Sequence, residues 1–356
     1  MSDRLLEQLE RPRLTGLDLG DVRVPITHPD RILWPATMTE PPITRRDLLR
    51  YFIAMSPYLL PYLQDRPLTL LRYPYGLSGV GVAEKHFFQK HVEFEAPPFV
   101  HRECLISEHT GLDGTYLFCN NLATLLWLAQ IANIELHTWY SRTVNAPDAL
   151  GQPHTFSGSV EAFERSVLNH PDFMVFDLDP YLYSGREPPG GQPQLHAAGF
   201  QRTCEVALWL KDVLDNLGLP AFVKTSGKTG VHVFVPILRQ FNFDTVRGMS
   251  EQICRFVQRL HPRETTMEWS VDKRHGKVFL DHNQNTRGKT LATPYSPRAL
   301  PGAPVSVPLR WTELGSVYPT QFTLRTMHER LKIVGDLWAD ILQHKADLAH
   351  VFTAHA

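Results

Sequence analysis

The sequence has little of what would place it in a specialised class. Its four cysteines, Cys104, Cys119, Cys204 and Cys254, are scattered with no CxxC pair, which argues against a zinc site and against a secreted disulfide framework. No sign of charge dominates: 36 Lys and Arg meet 37 Asp and Glu, for a formal net charge of −1. An anionic partner therefore has to be held by a local patch. No apolar run approaches membrane-spanning length, and the charged start MSDRLLEQLERPRL has no signal core. We expect a cytoplasmic protein with no membrane partner. Internal repeats and low-complexity segments are absent too. What remains is ordinary for a globular chain: 356 residues, 43% hydrophobic and 21% charged, enough for one large domain or two.

A P-loop is also missing, although Gly227-Lys228-Thr229 carries its last three letters. That pattern needs a glycine five positions earlier, where Phe222 stands, and a helix afterwards. Instead Val231-His232-Val233-Phe234-Val235 alternates and is rich in β-branched residues, so 222–236 reads as a hairpin around a glycine turn. Elsewhere the patterns predict helices over 43–63 (capped by Thr44), 201–218, 243–260 and 326–342, and strands over 67–74, 173–179 and 277–281. The stretch 120–139 begins as an apolar helix. Two loops interrupt the chain, a Pro/Gly/Ser-rich one near 143–160 and SGREPPGGQPQ at 184–194. Strand, helix, hairpin, helix, strand implies an α/β layer with helices on one face of a sheet. The expected organisation is a tail or short helix over 1–20, a domain over 21–345, and a tail over 346–356. Within the domain, the halves 21–142 and 172–345 flank an insertion at 143–171, in which SVEAFERSVLNHP can form an added helix.

Three carboxylates end apolar strands. Asp177 and Asp179 lie two apart on one strand, so both project from the same face and repel unless a cation neutralises them. Oxygen ligands suit Mg²⁺ or Mn²⁺. Asp281 ends KVFLD and can join the pair if the strands are neighbours, giving the carboxylate set of a two-metal phosphoryl-transfer site. An aspartate ending a strand is, taken singly, more often a turn former. The hairpin offers Ser226, Gly227 and Gly230 as a phosphate nest, with Lys224, Lys228 and His232 beside it. A tight turn with solvated lysines is the plainer alternative. Arg287, Lys289 and Arg298 follow the third carboxylate, and KHFFQKH at 85–91 interleaves basic residues with two phenylalanines, as base stacking plus phosphate contact would require.

Together, DFMVFDLDP, VKTSGKTGVHVFVPI, FFQKH and KVFLDHNQNTRGKTLATPYSPRALPG resemble the polymerase domain of the bacterial DNA ligase D proteins, in the archaeo-eukaryotic primase superfamily. HPDRILWP, TRRDLLRYF, RPLTLLRYPYG and ATLLWLAQIANIELHTWYSR extend the similarity over about 22–345. The resemblance implies an α/β (α+β) primase-like catalytic core with a central, mostly antiparallel sheet flanked by helices. It places metal binding and catalysis on Asp177, Asp179 and Asp281, and nucleotide binding on Ser226, His232, Lys289 and Arg298, with His137 and Gln284 beside them. Template contact falls on Phe87, Phe88 and Lys90. Recognition of a downstream 5′-phosphate falls on Arg31 and Arg45, where the family usually has lysines.

The implied activity is a DNA-directed polymerase/primase that extends 3′ ends at gaps or synapsed breaks in non-homologous end joining. It would use nucleoside triphosphates, ribonucleotides preferred over deoxynucleotides, and two Mn²⁺ or Mg²⁺ ions. Its DNA would carry 3′ overhangs or gaps with a 5′-phosphate. Ku and a separate ATP-dependent DNA ligase are the expected partners, and the nucleoid the expected location. Gap filling in excision repair, or a non-catalytic end-binding module that recruits a ligase, are the alternatives.

Overall fold

The computed structural model describes residues 2–77, 86–107, 110–181 and 197–353; the loop at 184–194 lies outside them. Helix α1 (Ser2–Leu9) leads to α2 (Arg45–Leu63), which opens on a full capping box between Thr44 and Asp47. β1 (Leu68–Arg72) and β2 (Phe87–Gln89) follow, then α3 (Leu122–Gln130) and β3 (Asn133–Thr138). After β4 (Phe173–Tyr181), α4 (Ala197–Asn216) returns the chain to the hairpin β5 (Phe222–Thr225) and β6 (Val231–Pro236). The order ends with α5 (Phe243–Leu260), β7 (Thr265–Thr266), β8 (Lys277–Asp281), β9 (Leu291–Ala292) and β10 (Pro308–Leu309). Among the described residues, no helix is long and apolar enough to cross a membrane.

Two sheets carry the molecule. One has the order β7-β8-β4-β6-β5-β10 and the other β9-β3-β1-β2. All their pairings are antiparallel except β7 with β8. Side-chain alternation then sorts each strand of the larger sheet into two faces. Met174, Phe176 and Leu178, Val231, Val233 and Val235, and Val278 and Leu280 are buried in one core with Phe200, Ala207 and Ile253 of α4 and α5. The intervening residues Asp177, Asp179, Lys224, His232 and Asp281 are left for the opposite face. Register sets Asp177 across from both His232 and Asp281, and Lys224 across from His232.

Three expectations about boundaries are corrected. Of the tail or short helix expected over 1–20 the helix forms, Ser2–Leu9, and the segment is not a tail: Leu5, Leu9, Leu14 and Leu17 are buried in the main core, and Gly16–Asp18 pairs with Arg23–Pro25. Residues 346–353 are docked as well, with the Ala346 amide donating to Pro236 O and Leu348 buried. The helix expected over 326–342 stops at Val334, because Gly335 takes a positive φ of 71° and closes it. In the 143–171 stretch a short helix does form, Val160–Glu164, and its Phe163 packs with Phe118 and Trp139 in a separate apolar cluster.

A buried ionic cluster fastens this stretch to both halves. Asp172 accepts from Arg142 (2.9 and 3.0 Å) and Lys345 (2.7 Å) and pairs with Arg66 (2.9 Å). Asp148 takes Arg239 (2.8 Å) and the same Lys345 (2.6 Å).

Candidate active site

Turn chemistry builds the centre of the site. Gly227 has a positive φ of 73°, and a Cβ there would lie 2.7 Å from Arg298 Cγ and 2.9 Å from Ser306 N. A Cβ at Gly230 would sit 2.4 Å from Leu178 O and 2.9 Å from Asp179 Oδ1. Only glycine lets the hairpin lie this close to the carboxylate strand. The turn is closed on itself, contrary to the expected nest. Ser226 N donates to Gly230 O, and Ser226 Oγ accepts from the amides of Lys228 (3.1 Å) and Gly230 (3.0 Å). With both its lone pairs taken, the Ser226 hydroxyl has its own proton left to donate.

The three carboxylates lie on one sheet face, Asp177 and Asp179 by alternation and Asp281 by the pairing of β4 with β8. Burial pushes the carboxyls of Asp177 and Asp179 above the usual range, and for Asp179 the charges of Asp177 and Asp281 add to this. Asp281 is pushed up to about 6, by burial first and then by Asp177. Asp177 Oδ2 accepts from Gln284 Nε2 at 3.3 Å. Its Oδ1 lies 3.3 Å from His232 Nε2, but the pair is not aligned as a hydrogen bond and the oxygen is buried without one. Among the described residues no three Asp, Glu, His or Cys side chains are gathered into a ready-made cation cage. The donor chemistry nevertheless fits a hard divalent cation: three repelling, desolvated carboxylates, one with an orphaned oxygen.

Facing them is a cationic wall organised by a residue that sequence reasoning missed. Glu135, on β3, is 0% exposed. It accepts from Arg298 Nε (3.0 Å) and the Ala299 amide (2.9 Å), lies 2.7 Å from His137 Nε2, and pairs with Lys228 Nζ at 3.1 Å. Burial acts upward on its carboxyl, but Arg298, the His137 hydrogen bond and Lys228 outweigh it and hold the group well below the carboxylate range. Arg298 also donates to Ser226 O, which ties this wall to the turn. The signal was present in IELH: Glu135 and His137, two apart on a strand, must share a face.

His137, Asp177, Asp179, Ser226, His232 and Arg298 all line one cavity of about 290 Å³. His232 is held neutral there, first by burial and then by the charges of Lys224 and Arg298. Lys289 is exposed and lies outside the lining, although its charge acts on Asp281. Arg287, expected as an anion donor, lies instead over the Phe163 ring at 4.7 Å.

The other candidate residues lie apart from this cavity. Phe87 and Phe88 are 50% and 59% exposed on the edge strand β2, with Lys90 half-buried after them and His86 stacked on Tyr73. Arg31 is exposed and donates to Pro74 O at 2.7 Å. Arg45 is only 4% exposed, and its guanidinium donates to the carbonyls of Thr27 and His28. Burial and then the Arg31 charge lower its pKa, and the Arg45 amide donates to Arg31 O at 2.9 Å, so the two residues are neighbours, one exposed and one buried.

Comparison with known proteins gives consistent matches. The family model for the LigD primase-polymerase domain matches residues 44–338. The multifunctional non-homologous end joining protein LigD of Pseudomonas aeruginosa is 31% identical over 322 residues, covering 89% of this chain and 32% of that protein. The bifunctional LigD of Bacillus subtilis is 29% identical over 308 residues, covering 85% of this chain and 42% of that protein. The chain thus spans less than half the length of either relative. Among solved structures, the polymerase domain of Mycobacterium tuberculosis ligase D in complex with DNA superposes with a TM-score of 0.73 at 26% identity, covering 91% of this chain and 99% of that one.

Proposed function

Because the chain belongs to the LigD primase-polymerase domain family, we propose that it is a DNA-directed nucleotidyltransferase. It extends DNA 3′ ends at gaps or synapsed double-strand breaks during non-homologous end joining. The observation that carries this reading is the single cavity shared by Asp177 and Asp179 on one side and by Ser226, His232 and Arg298 on the other. Carboxylates opposite phosphate donors are what a nucleoside triphosphate with its counter-cations requires. A metal nuclease would use the carboxylates but has no task for the donor wall.

Asp177, Asp179 and Asp281 would hold Mn²⁺ or Mg²⁺, which when bound neutralises phosphate charge and polarises the phosphoryl oxygens. The chain's own groups do the rest. Arg298 and the Ser226 hydroxyl receive phosphate oxygens, His232 presents a neutral donor, and His137 and Gln284 are further nucleotide contacts, Gln284 standing beside the cavity on Asp177. Lys289 adds charge at the mouth. The primer 3′-hydroxyl attacks the α-phosphorus, the bond to the β-phosphate oxygen breaks, and pyrophosphate leaves. Phe87 and Phe88 offer exposed faces for template bases, with Lys90 for the backbone. Arg31 meets the downstream 5′-phosphate, supported from below by Arg45. Ku and a DNA ligase act with it, and ribonucleotides are the preferred substrates.

The test is extension of a gapped duplex with Mn²⁺ or Mg²⁺, comparing ribo- and deoxynucleotides with and without the downstream 5′-phosphate. We expect template-directed incorporation, enhanced by the phosphate. Binding of DNA with no incorporation under any of these conditions would leave only an end-binding module.

A further inference from the structure

Lys224 is a buried charged group to which the nucleotide site, as described, gives no task. It lies on β5, where alternation turns it to the site face and register sets it across from His232. Its side chain is completely buried, and Nζ has three polar partners: His232 Nδ1 at 2.8 Å, Ala292 O at 2.8 Å and Ser306 Oγ at 2.6 Å. Two of these can only accept. Ala292 O is a carbonyl, and the Ser306 hydroxyl proton is already donated to Thr225 O at 2.8 Å. An ammonium has three N–H bonds, so the third is directed at His232 Nδ1. The ring of Phe234, 5.8 Å away, offers its π-face to the same charge.

Burial and Arg298 press the ammonium to release its proton, while Asp177 favours keeping it. An ammonium finds an acceptor for each of its three N–H bonds when Nδ1 is unprotonated, whereas a neutral amine would turn its lone pair to a protonated Nδ1, so the two states of Lys224 require opposite tautomers of His232. If Nδ1 accepts, a neutral imidazole has its proton on Nε2, and Nε2 is the nitrogen that lies 3.3 Å from Asp177 Oδ1 beside the cavity.

We propose that Lys224 is a positioning residue that donates to His232 Nδ1 and thereby fixes the Nε2–H tautomer, so that the nucleotide cavity meets a donor and never a lone pair. The opposite tautomer would turn a lone pair toward phosphate oxygens and repel them. Lys224 also spans the two sheets, because Ala292 belongs to β9 of the smaller one. The ring is therefore oriented by both walls of the cleft. This inference rests on His232 serving the nucleotide, but its primary test does not depend on polymerase activity.

The experiment is long-range ¹H–¹⁵N correlation spectroscopy of the full chain labelled with ¹⁵N-histidine at pH 7, with His232 assigned by its disappearance in His232→Ala. The native protein is expected to show a pyridine-like Nδ1 and a pyrrole-like, protonated Nε2. A protonated Nδ1 in the native protein overturns the proposal without any variant having to fold. Lys224→Met keeps the length of the side chain and removes the donor. It is expected to shift His232 toward the Nδ1–H form or a mixture, and to lower kcat/KM for the nucleotide about ten- to hundredfold, the loss expected for one charge-assisted hydrogen bond. A Lys224→Met protein that is less heat-stable yet keeps the Nε2–H tautomer and native kinetics would make Lys224 merely structural, which also overturns it.

Discussion

Replacing Asp172 by Asn tests the ionic cluster that joins the two halves of the chain. The side chain keeps its shape and loses one charge. Arg66, Arg142, Arg239 and Lys345 then lose the carboxylate they share, in a region where Asp172, Arg66 and Arg239 are almost wholly buried, and Asp148 remains to pair with Arg239 and Lys345. Removing one partner of a buried ion pair costs about 3–5 kcal/mol, against about 0–1 for a surface pair. With an unfolding entropy of about 2.1 cal/mol/K per residue, 356 residues give about 0.75 kcal/mol/K, so the cost appears as a fall of about 4–7 °C in Tm.

The pH dependence is fixed in sign. Burial acts upward on the Asp172 carboxyl, but Arg66, Arg142 and Lys345 outweigh it and hold it well below the usual range. The unfolded chain therefore takes up this proton first, near pH 3.9. The contribution of Asp172 is fully present above the unfolded value and is lost progressively as pH falls from about 4 to the lower native value. Calorimetry of native and Asp172→Asn proteins should show a constant gap between pH 7 and 5 that narrows below about pH 4. Asp244→Asn, which touches only the exposed pair with Arg247, is the control and should stay within about 1 °C. A Tm loss at Asp172→Asn no larger than the control's, or a gap already closing between pH 7 and 5, would refute this account.

Asp177→Ala should abolish nucleotide incorporation while leaving DNA affinity nearly unchanged, because phosphate contacts come from elsewhere; a filter-binding or anisotropy titration that shows DNA binding lost would make the carboxylate structural. Arg298→Ala removes a phosphate donor worth about 1.5–3 kcal/mol, so kcat/KM for the nucleotide should fall about ten- to hundredfold, and an unchanged value speaks against the role. Asp281→Asn relieves a like-charge pair directly across two strands and should raise the Tm of metal-free protein slightly, by a free energy of about 0.5 kcal/mol; a lower Tm would show that the pair does not repel. Arg31→Ala should erase the preference for a gapped duplex bearing a 5′-phosphate without changing Tm, whereas Arg45→Ala should lower Tm, since it strips the Thr27 and His28 carbonyls of their donor. If Arg31→Ala keeps the preference, the phosphate binds elsewhere.

Legibility in the sequence followed the range of the forces involved. Strands β4, β6 and β8 and helices α2, α4 and α5 were readable because alternation and 3.6-residue spacing are local, and the same alternation put Asp177 and Asp179 on one face, which Asp281 joins only through the pairing of β4 with β8. The hairpin's glycines were readable as a tight turn, but not as a turn closed on its own amides, since that depends on where Ser226 Oγ points. Glu135 escaped because sharing a strand face with His137 is only a local hint; its meaning comes from Arg298, 163 residues further on. Lys224 was read as charge beside a phosphate nest, or else as a solvated lysine, since its burial becomes legible only once the β9 carbonyl and Ser306 are seen around it. The ends were misread for a similar reason. Charged stretches such as MSDRLLEQLE look solvated until the core that receives Leu5 and Leu9 is known.

The parity of the larger sheet gives it a division of labour. Met174, Phe176, Leu178, Val231, Val233, Val235, Val278 and Leu280 point toward α4 and α5, so a slip by one residue would drive carboxylates and a histidine into that layer at prohibitive cost. On the opposite face Phe173, Val175 and Phe234 pack into a second apolar cluster with Trp338 and Ile341, away from the carboxylates. Only the site end of that face is released from packing and can carry groups that repel one another. The α4/α5 positions accept volume-conserving hydrophobic exchange, and the site-end positions interleaved with them only exchange that preserves the cleft's charge pattern. A library that varies just the cleft-side positions 177, 179, 224, 232 and 281 should therefore yield mostly folded, inactive proteins. One that varies the odd hairpin positions 223, 231, 233 and 235 to polar residues should yield mostly unfolded ones.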